Sequence, residues 1–512
     1  RVEAARIEAE RVEADRRKTE EEEAARLEAL RVAALPKKTV DFCVVGGGVS
    51  GLVAARTLKK KSPASTVAVL ESSPSLGGRV ATVEDSRGYK LDVGFAVFID
   101  SYPVAAKALN LKKLRLRPFQ PGALVATSGG WLQGKSCGGD DGPVSISRVA
   151  DPLRRPQDLL AAALSPVGTL GDKIRVLPLL YHVFKTSVEE LFEEEETSTL
   201  VALKERWGFS DQFICQFFEP FLGGIFLAPL EEQSSRMFHF IFKMFSEGSA
   251  CLPEGGMTAV GEQLRADLEN FITGMDVLTG TSVEGFKAAD SEGDSQPPSY
   301  LVEAKAADGS QSNVMAKKVV VATGARKAYE LAGTDPALLP PQRRVGCVYY
   351  GLSSEPPIAD PILVLNGEKE KGTTRKPVNN LCFPSLVSET YAPPGKHLCS
   401  VTVLGPTLDL FRSENGLIDN EKLDAAVRGH LSSWFPDAGV SRWENLRTFD
   451  VADAQPAQFG CEHPANVNGG RSPGIVAGLK MAENVAVAGD HQASATLNGA
   501  LEAGVKAAKA LL

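Results

Sequence analysis

From Lys37 onward the hydrophobic positions alternate between short unbroken runs and stretches with helical spacing. That is the pattern of buried parallel strands joined by helices. Phe42-Cys43-Val44-Val45 is a buried-strand run, Leu52–Leu58 has the spacing of a helix, and Thr66–Leu70 is a second strand. Asn484–Val487 repeats the strand pattern near the end, ahead of a last helix. The alternation predicts α/β architecture. Gly129–Gly142, Asp290–Ser299, Gln455-Pro456 and Asn466–Gly470 read as loops. Asp158–Leu203 has mixed helical periodicity. Asp211–Ser246 is rich in aromatics (Phe213, Phe217, Phe218, Phe221, Phe226, Phe238, Phe240, Phe242, Phe245), which suits a core, the wall of a cavity, or both.

Residues 1–35 differ from the rest, being almost wholly Ala, Glu, Arg and Leu, and Pro36 closes them. The composition favours helix, and Glu3/Arg6, Glu8/Arg11 and Glu13/Arg16 stand three apart, where opposite charges attract. Arginine recurs every fifth residue from Arg1 to Arg16. Five residues advance a helix by roughly 140° past a full turn, so Val2, Ile7 and Val12 share no face and form no coiled-coil seam. A solvated charged helix is the plain expectation, with docking of a protein partner as its alternative.

Composition narrows the class. The chain has 512 residues, 43% hydrophobic and 23% charged, enough for two lobes. A net charge of −8 gives no electrostatic case for a nucleic-acid partner. No apolar run reaches the roughly 18 residues that span a bilayer. The chain opens on Arg1 without a signal-peptide pattern, consistent with processing upstream. Cysteines 43, 137, 215, 251, 347, 382, 399 and 461 form no CxxC pair, so reduced intracellular thiols are expected. Six dispersed histidines offer no metal-ligand spacing, and no metal is expected.

The chemistry is carried by a glycine turn. The first strand runs into Gly46-Gly47-Gly48-Val49-Ser50-Gly51 and then a helix. In this GxGxxG context Gly46 permits the tight turn and Gly48 lets a pyrophosphate approach the backbone. Gly51 allows close helix–strand packing, and the helix N-terminus, with Val49 and Ser50, faces the phosphates. The second strand ends in Glu71, 20 residues after Gly51, where an acid accepts hydrogen bonds from an adenosine ribose.

Leu76-Gly77-Gly78-Arg79 and Leu91-Asp92-Val93-Gly94 follow. With these motifs the chain resembles the superfamily of flavin amine oxidases, protoporphyrinogen oxidases and phytoene desaturases. The resemblance implies FAD, with Gly77, Gly78 and Arg79 at the pyrophosphate and the strand through Gly94 beside the flavin. Leu252–Met257 resembles the family's P-x-GGM segment, and Val277-Leu278 with Ser282-Val283-Glu284 its adenine-side strand and turn. Val319–Val321 with Ala322-Thr323-Gly324 resembles its later Ala-Thr-Gly strand. Gly489-Asp490 is similar to the Gly-Asp that binds the ribityl chain. The helix opening at Leu497-Asn498 matches the one aimed at the flavin pyrimidine, where its N-terminus favours negative charge.

The implied fold is a Rossmann-like FAD lobe built from 37–115, 250–330 and 474–512. An α+β substrate lobe (116–249 and 331–473) is inserted, and a charged helical extension (1–36) stands in front. A single strand–GxGxxG–helix unit leaves no second dinucleotide domain for NAD(P)H, so electrons pass to oxygen, a quinone or another diffusing acceptor. Two amine-oxidase features are missing. Gly346, in Arg344–Tyr350, stands where a flavin-facing lysine is expected, and residues 449–483 carry only Phe449 and Phe459 as aromatics. Phe217–Phe226 and Ser234-Ser235-Arg236 resemble the desaturase and porphyrinogen-oxidase side. The expected function is therefore hydride transfer from a bulky, largely apolar substrate, isoprenoid or tetrapyrrole, to flavin N5.

No catalytic side chain follows. Tyr349, Tyr350, His397 and Arg236 are candidate pocket residues better suited to structural work, and His491 is placed to approach the flavin or simply to pack. Peripheral membrane contact would suit a lipid-soluble substrate, although no amphipathic stretch compels it. Plastid residence rests only on the family's pigment-pathway members. An amine or amino-acid oxidase is the rival enzyme, and a flavin-holding scaffold docking through residues 1–35 is the rival of another class.

Overall fold

Strand β1 (Lys38–Val45) buries Cys43, Val44 and Val45 and breaks at Gly46, whose φ of +106° is open to glycine but not to ordinary residues. The structure, a computed structural model, describes residues 16–19, 22, 23, 26, 38–94, 97–128, 143–149, 154, 164–289, 299–333, 335, 337, 339–458 and 484–512. Most of the charged segment before Pro36, the loop expected over 129–142, nearly all of that over 290–299, and Asn466–Gly470 lie outside them.

After β1 come helix α1 (Val49–Lys61), strand β2 (Val67–Leu70) and a hairpin of β3 (Thr82–Glu84) and β4 (Lys90–Asp92). The chain then crosses to a second sheet through β5 (Ala123–Ser128) and β6 (Val144–Val149). A helical block follows: α2 (Leu170–Lys185), α3 (Val188–Glu193), α4 (Glu219–Phe226) and α5 (Ser235–Glu247). Helix α6 (Thr258–Glu269) returns to the first sheet with β7 (Met275–Leu278), β8 (Thr281–Ala289), β9 (Ser299–Ala306) and β10 (Val314–Val321). The second sheet resumes with β11 (Gln342–Leu352), β12 (Leu363–Asn366), β13 (Asn380–Cys382), β14 (His397–Leu404), helix α7 (Asn420–Trp434) and β15 (Glu444–Pro456). Strand β16 (Val485–Val487) and helix α8 (Leu497–Ala510) return to the first.

The first sheet has seven strands in the order β7-β2-β1-β10-β9-β8, with β16 added beside β10. Strand β10 serves both neighbours on one edge, pairing antiparallel with β9 through Val314–Ala316 and parallel with β16 through Val319–Val321. The register of the five parallel strands puts Leu278, Leu70, Val45, Val321 and Val487 at one level. All five therefore end together, and the residues just beyond make one rim. The second sheet, also of seven strands, runs β15-β11-β14-β13-β12-β5-β6, antiparallel except where β12 meets β5. Helix α7 covers one of its faces with Leu423, Val427, Leu431 and Trp434.

Asp92, at the end of β4, ties the β3–β4 hairpin to β11 of the second sheet. Its carboxylate accepts from Thr82 Oγ1 (2.5 Å), Met257 N (3.1 Å) and Tyr391 OH (3.0 Å), and its carbonyl accepts from Tyr349 OH (2.9 Å). Strand β15 extends through Gln455-Pro456, which the sequence suggested were loop. Their pairing with Gln342 and Arg343 of β11 supplies the backbone bonds that Gly/Pro counting does not register.

Helices α1 and α8 meet backbone to backbone. Ser50 Oγ donates to Ala500 O at 2.7 Å, and a Cβ on Gly504 would lie 2.2 Å from Ser50 O. Gly504→Leu should therefore cost about 3 kcal/mol or more by overpacking, against about 1 kcal/mol for Ser50→Ala. Denaturant midpoints of the two variants check this, and equal midpoints would place α8 elsewhere.

Candidate functional site

The common rim of the five parallel strands collects the residues that the motifs single out. Gly46 leaves β1, Glu71 leaves β2, Ala322-Thr323-Gly324 leave β10 and Ala488-Gly489-Asp490 leave β16. Carboxyl ends of parallel strands at a change of strand order form the usual ligand crevice of such sheets.

Within the rim the backbone is packed too closely for side chains. A Cβ on Gly51 would sit 1.9 Å from Gly46 O, and one on Gly46 would sit 2.7 Å from Ala322 O. Gly48, which starts α1 without a capping side chain, forms a bridge with Gly77, and a Cβ on Gly78 would come within 3.2 Å of Gly48 Cα. The two glycine segments thus form a single bare surface at a helix N-terminus, suited to an anion.

The charged side of the rim is built by Arg79 and Asp490, paired at 2.6 Å, and Arg79 also donates to Ala454 O at 2.9 Å. Burial would raise the Asp490 pKa, but the guanidinium beside it wins and holds the carboxyl below its usual range. Arg326, Lys327, Gly324 and Asp453 join this pair around a cavity of about 310 Å³. Three buried polar atoms here have no hydrogen-bond partner among the described residues: Thr323 Oγ1 and both ring nitrogens of His491. The imidazole packs under Gly489, where a Cβ would lie 2.5 Å from His491 Cε1, and burial depresses its pKa to about 4. Unpaired buried polar groups are costly. A bare glycine surface, cations and orphaned polar atoms on one rim fit a dinucleotide that supplies the missing partners.

A second cavity, of about 390 Å³, lies off this rim among the helical block and the second sheet. Phe119, Phe213, Phe217, Phe218, Phe221, Phe242 and Phe245 line it together with Val97, Ala123, Val167, Ile174, Leu177, Ile225 and Leu363. Its two charged lining residues, Arg154 and Lys173, donate to the carbonyls of Gly248 and Ser165. No Asp or Glu lines it among the described residues.

A family model described as flavin containing amine oxidoreductase matches residues 49–512. The chain belongs to that family. It is an FAD-dependent oxidoreductase. Comparison with curated proteins gives no match. Among solved structures, an oxidoreductase from Methanosarcina mazei is 17% identical with a TM-score of 0.61, over 92% of this chain and all of that one. A protein from Exiguobacterium sp. 255-15, provisionally named a protoporphyrinogen oxidase, is 16% identical with a TM-score of 0.64, over 93% and 99%. Putrescine oxidase bound to putrescine is 17% identical with a TM-score of 0.59, over 93% and 99%. At these identities the likeness is one of fold.

Not every singled-out residue of this flavoprotein points its side chain at the rim. Glu71 accepts from Gly47 N (2.6 Å) and Ser73 N (2.8 Å), so it braces the turn it follows. Val49 is buried in the core, the Ser50 hydroxyl is committed to Ala500, and Asn498 Oδ1 accepts from Val104 N at 2.9 Å. Val283 is buried in β8 beside a bulge, Leu497 packs against the core, and Gly94, at φ +84°, lies against Val345 and Val451.

Tyr349, Tyr350, His397 and Arg236 stay out of the larger cavity. Tyr350 OH donates to Asp424 at 2.8 Å, His397 lies 3.4 Å from Glu355, and Arg236 donates to Glu194 O at 2.7 Å. The sequence missed the α2 lining of the cavity, Lys173, Ile174, Val176, Leu177 and Leu180. Of these, only Ile174 and Leu177 fall on the helical spacing Leu170, Ile174, Leu177, Tyr181, Phe184 that the sequence offers. It also missed that His182, Glu194 and His239 converge. Arg206 occupies that cluster, 2.7 Å from Glu194 and 3.0 Å from His182, and Trp207 Nε1 donates to His239 Nε2 at 3.1 Å. The guanidinium supplies the positive charge there, so the cluster reads as an ion pair tying α2 to α5 rather than as a metal site.

Asp92 gives a pH signature. Burial raises its pKa from 3.8 to about 6, and its hydrogen bonds from Thr82, Met257 N and Tyr391 only partly offset that. Because the folded pKa lies above the unfolded one, this contribution is present below pH 4 and lost as pH rises through about 6. Removing the carboxylate with Asp92→Asn should make the variant-minus-wild-type stability difference climb by about 2 kcal/mol between pH 4 and pH 7. Denaturant melts across that range decide it, and a flat difference would mean the carboxyl is solvated.

Proposed function

We propose that this FAD-dependent oxidoreductase oxidises or desaturates a bulky, largely apolar substrate, of isoprenoid or tetrapyrrole type, held in the phenylalanine-lined cavity. Bound FAD supplies the two-electron acceptor, taking a hydride at N5. Gly46, Gly48, Gly51, Gly77 and Gly78 would cradle the pyrophosphate with backbone alone. Arg79 would turn from Asp490 to a phosphate oxygen, a match its planar guanidinium favours. Asp490 would then be left to accept from the ribityl chain, and Thr323 and His491 would gain partners. Helix α8, opening at Leu497-Asn498, would direct its N-terminal dipole at the flavin pyrimidine. The cavity wall positions the substrate and keeps water out, which hydride removal needs more than an acid or base.

The carrying observation is the chemistry of the wall. Seven phenylalanine rings and no carboxylate line the cavity among the described residues. Apolar surface buried there contributes about 25 cal/mol per Å², whereas a protonated amine would lose its water without gaining a counter-ion. Amine oxidation is the second reading, favoured by the family description. Against it, Gly346 of β11 stands where the lysine is expected, its Cα side filled by Leu408, 3.0 Å from a would-be Cβ. With one strand–GxGxxG–helix unit in the sequence, the chain would pass electrons to oxygen, a quinone or another diffusing acceptor rather than to a nicotinamide of its own.

Anaerobic mixing with porphyrinogens and polyenes should bleach the flavin absorbance, while putrescine and aromatic amines should not. Leu363→Trp, which fills the cavity away from the glycine turn, should raise KM by about tenfold, some 1.4 kcal/mol, and leave the bound-flavin spectrum unchanged. Bleaching by amines alone would overturn the proposal.

A further inference from the structure

Buried polar atoms without a hydrogen-bond partner among the described residues gather at one further place. Gln233 Oε1, Arg343 Nε, Gln455 Oε1 and Gln458 Oε1 are such atoms, and all four residues line a single small cavity. It sits between the segment joining α4 to α5 and the β11–β15 edge of the second sheet. Ala495, in the loop that leads into α8, completes its wall. It shares no lining residue with the rim cavity or with the phenylalanine-lined one. Its volume is about 10 Å³, room for one water molecule but not for a ring of a dinucleotide.

The three amides cannot cure this by turning over. Gln455 Nε2 donates to Ala495 O at 2.6 Å, Gln458 Nε2 to Ala493 O at 2.7 Å, and Gln233 Nε2 to Ala228 O at 2.6 Å. Each nitrogen is committed to a carbonyl, so each oxygen is the atom left over. Gln233 is only 3% exposed, which closes off bulk solvent as a partner. Arg343 spends Nη1 on Glu232 at 2.7 Å, leaving its Nε–H as one unpaired donor beside three unpaired acceptors. Groups left in this condition are costly. A polar pocket that offers one water roughly two to four partners is where buried water is found.

We propose that this cavity holds one ordered water molecule, and that through it the helical block and β11 grip the loop that opens α8 and so retain FAD. The water accepts from Arg343 Nε and donates to two of the three amide oxygens, satisfying three groups at once. Gln455 and Gln458 are the connecting pieces. One end of each amide meets the water site, and the other carries a carbonyl of the loop. Gln233 and Arg343 anchor the site from the far side. All four are positioning residues that act on the cofactor through the loop. Helix α8 begins at Leu497, two residues beyond Ala495. An amide oxygen denied its partner turns to seek solvent, its nitrogen releases the loop carbonyl, and the opening of α8 loosens. The inference rests on the reading that α8 opens on the flavin, and it is independent of which substrate is oxidised.

The test exchanges Ala228, which lines the cavity from the helical block and stands apart from the flavin loop. Ala228→Val and Ala228→Thr add the same shape and displace the water, but only threonine brings a hydroxyl to replace its hydrogen bonds. FAD should bind about tenfold more weakly to Ala228→Val and within about twofold of wild type to Ala228→Thr. The visible circular dichroism of bound flavin should change in Ala228→Val and return in Ala228→Thr. Equal FAD affinity in all three proteins, or equal loosening in both variants, overturns the proposal. So does an Ala228→Val protein that melts earlier with FAD affinity and flavin dichroism unchanged, since the cavity would then serve stability alone. If Ala228→Val does not fold, Gln233→Met removes one acceptor and carries the same expectation for FAD. A water-resolving crystal structure of the FAD complex separates the premises: an empty cavity overturns the water site, and a filled one with the flavin away from α8 overturns its link to FAD. Bleaching by amines alone would sink the substrate reading and leave the water site standing.

Discussion

At the carboxyl end of β1 two stretches of backbone approach more closely than any side chain allows. A Cβ on Gly51 would stand 1.9 Å from Gly46 O, and one on Gly46 would stand 2.7 Å from Ala322 O. This contact draws α1 onto the strand end, exposes the first amides of the helix and sets the height at which the neighbouring strands can stop. The same economy recurs where Gly504 of α8 passes Ser50, so the last helix of the chain is fixed by the first turn. Three distant chain segments share one rim because the glycines let their backbones touch.

The second constraint is Asp92. A carboxyl group buried between the β3–β4 hairpin and the hydroxyls of Tyr349 and Tyr391 is tolerated because Thr82, Met257 N and Tyr391 satisfy it. It fixes the β3–β4 hairpin relative to β11. The proposed reaction asks for that rigidity: a flavin held by backbone on one side and an apolar molecule held by rings on the other. Neither needs a titrating catalyst.

The legible part of this molecule is the part dictated by backbone geometry. Gly46, Gly48 and Gly51 and the strand runs around them carry their meaning in local order, because only glycine tolerates the approach and only buried parallel strands read as unbroken apolar runs. The side-chain roles of Ser50, Asn498 and Glu71 were not legible. Each finds a partner fixed by tertiary packing, such as Ala500 for Ser50 and Val104 N for Asn498. Gln455-Pro456 misled for a related reason, since a strand formed by pairing with β11 carries no propensity signal at its end. The convergence of His182, Glu194 and His239 spans residues too far apart for any spacing rule. Of the phenylalanines of 213–245, Phe226, Phe238 and Phe240 pack in the core, Phe213, Phe218 and Phe242 belong to the core and the cavity wall at once, and Phe217, Phe221 and Phe245 line the cavity from less buried positions.

The most direct measurement is an experimental structure of the FAD complex. The account predicts the pyrophosphate over Gly46–Gly51 and Gly77-Gly78, Arg79 released from Asp490 to a phosphate oxygen, and the reactive edge of the flavin opening on the cavity lined by Phe217, Phe221 and Leu363. A flavin closed off from that cavity, with its reactive edge facing solvent or another pocket, would contradict it.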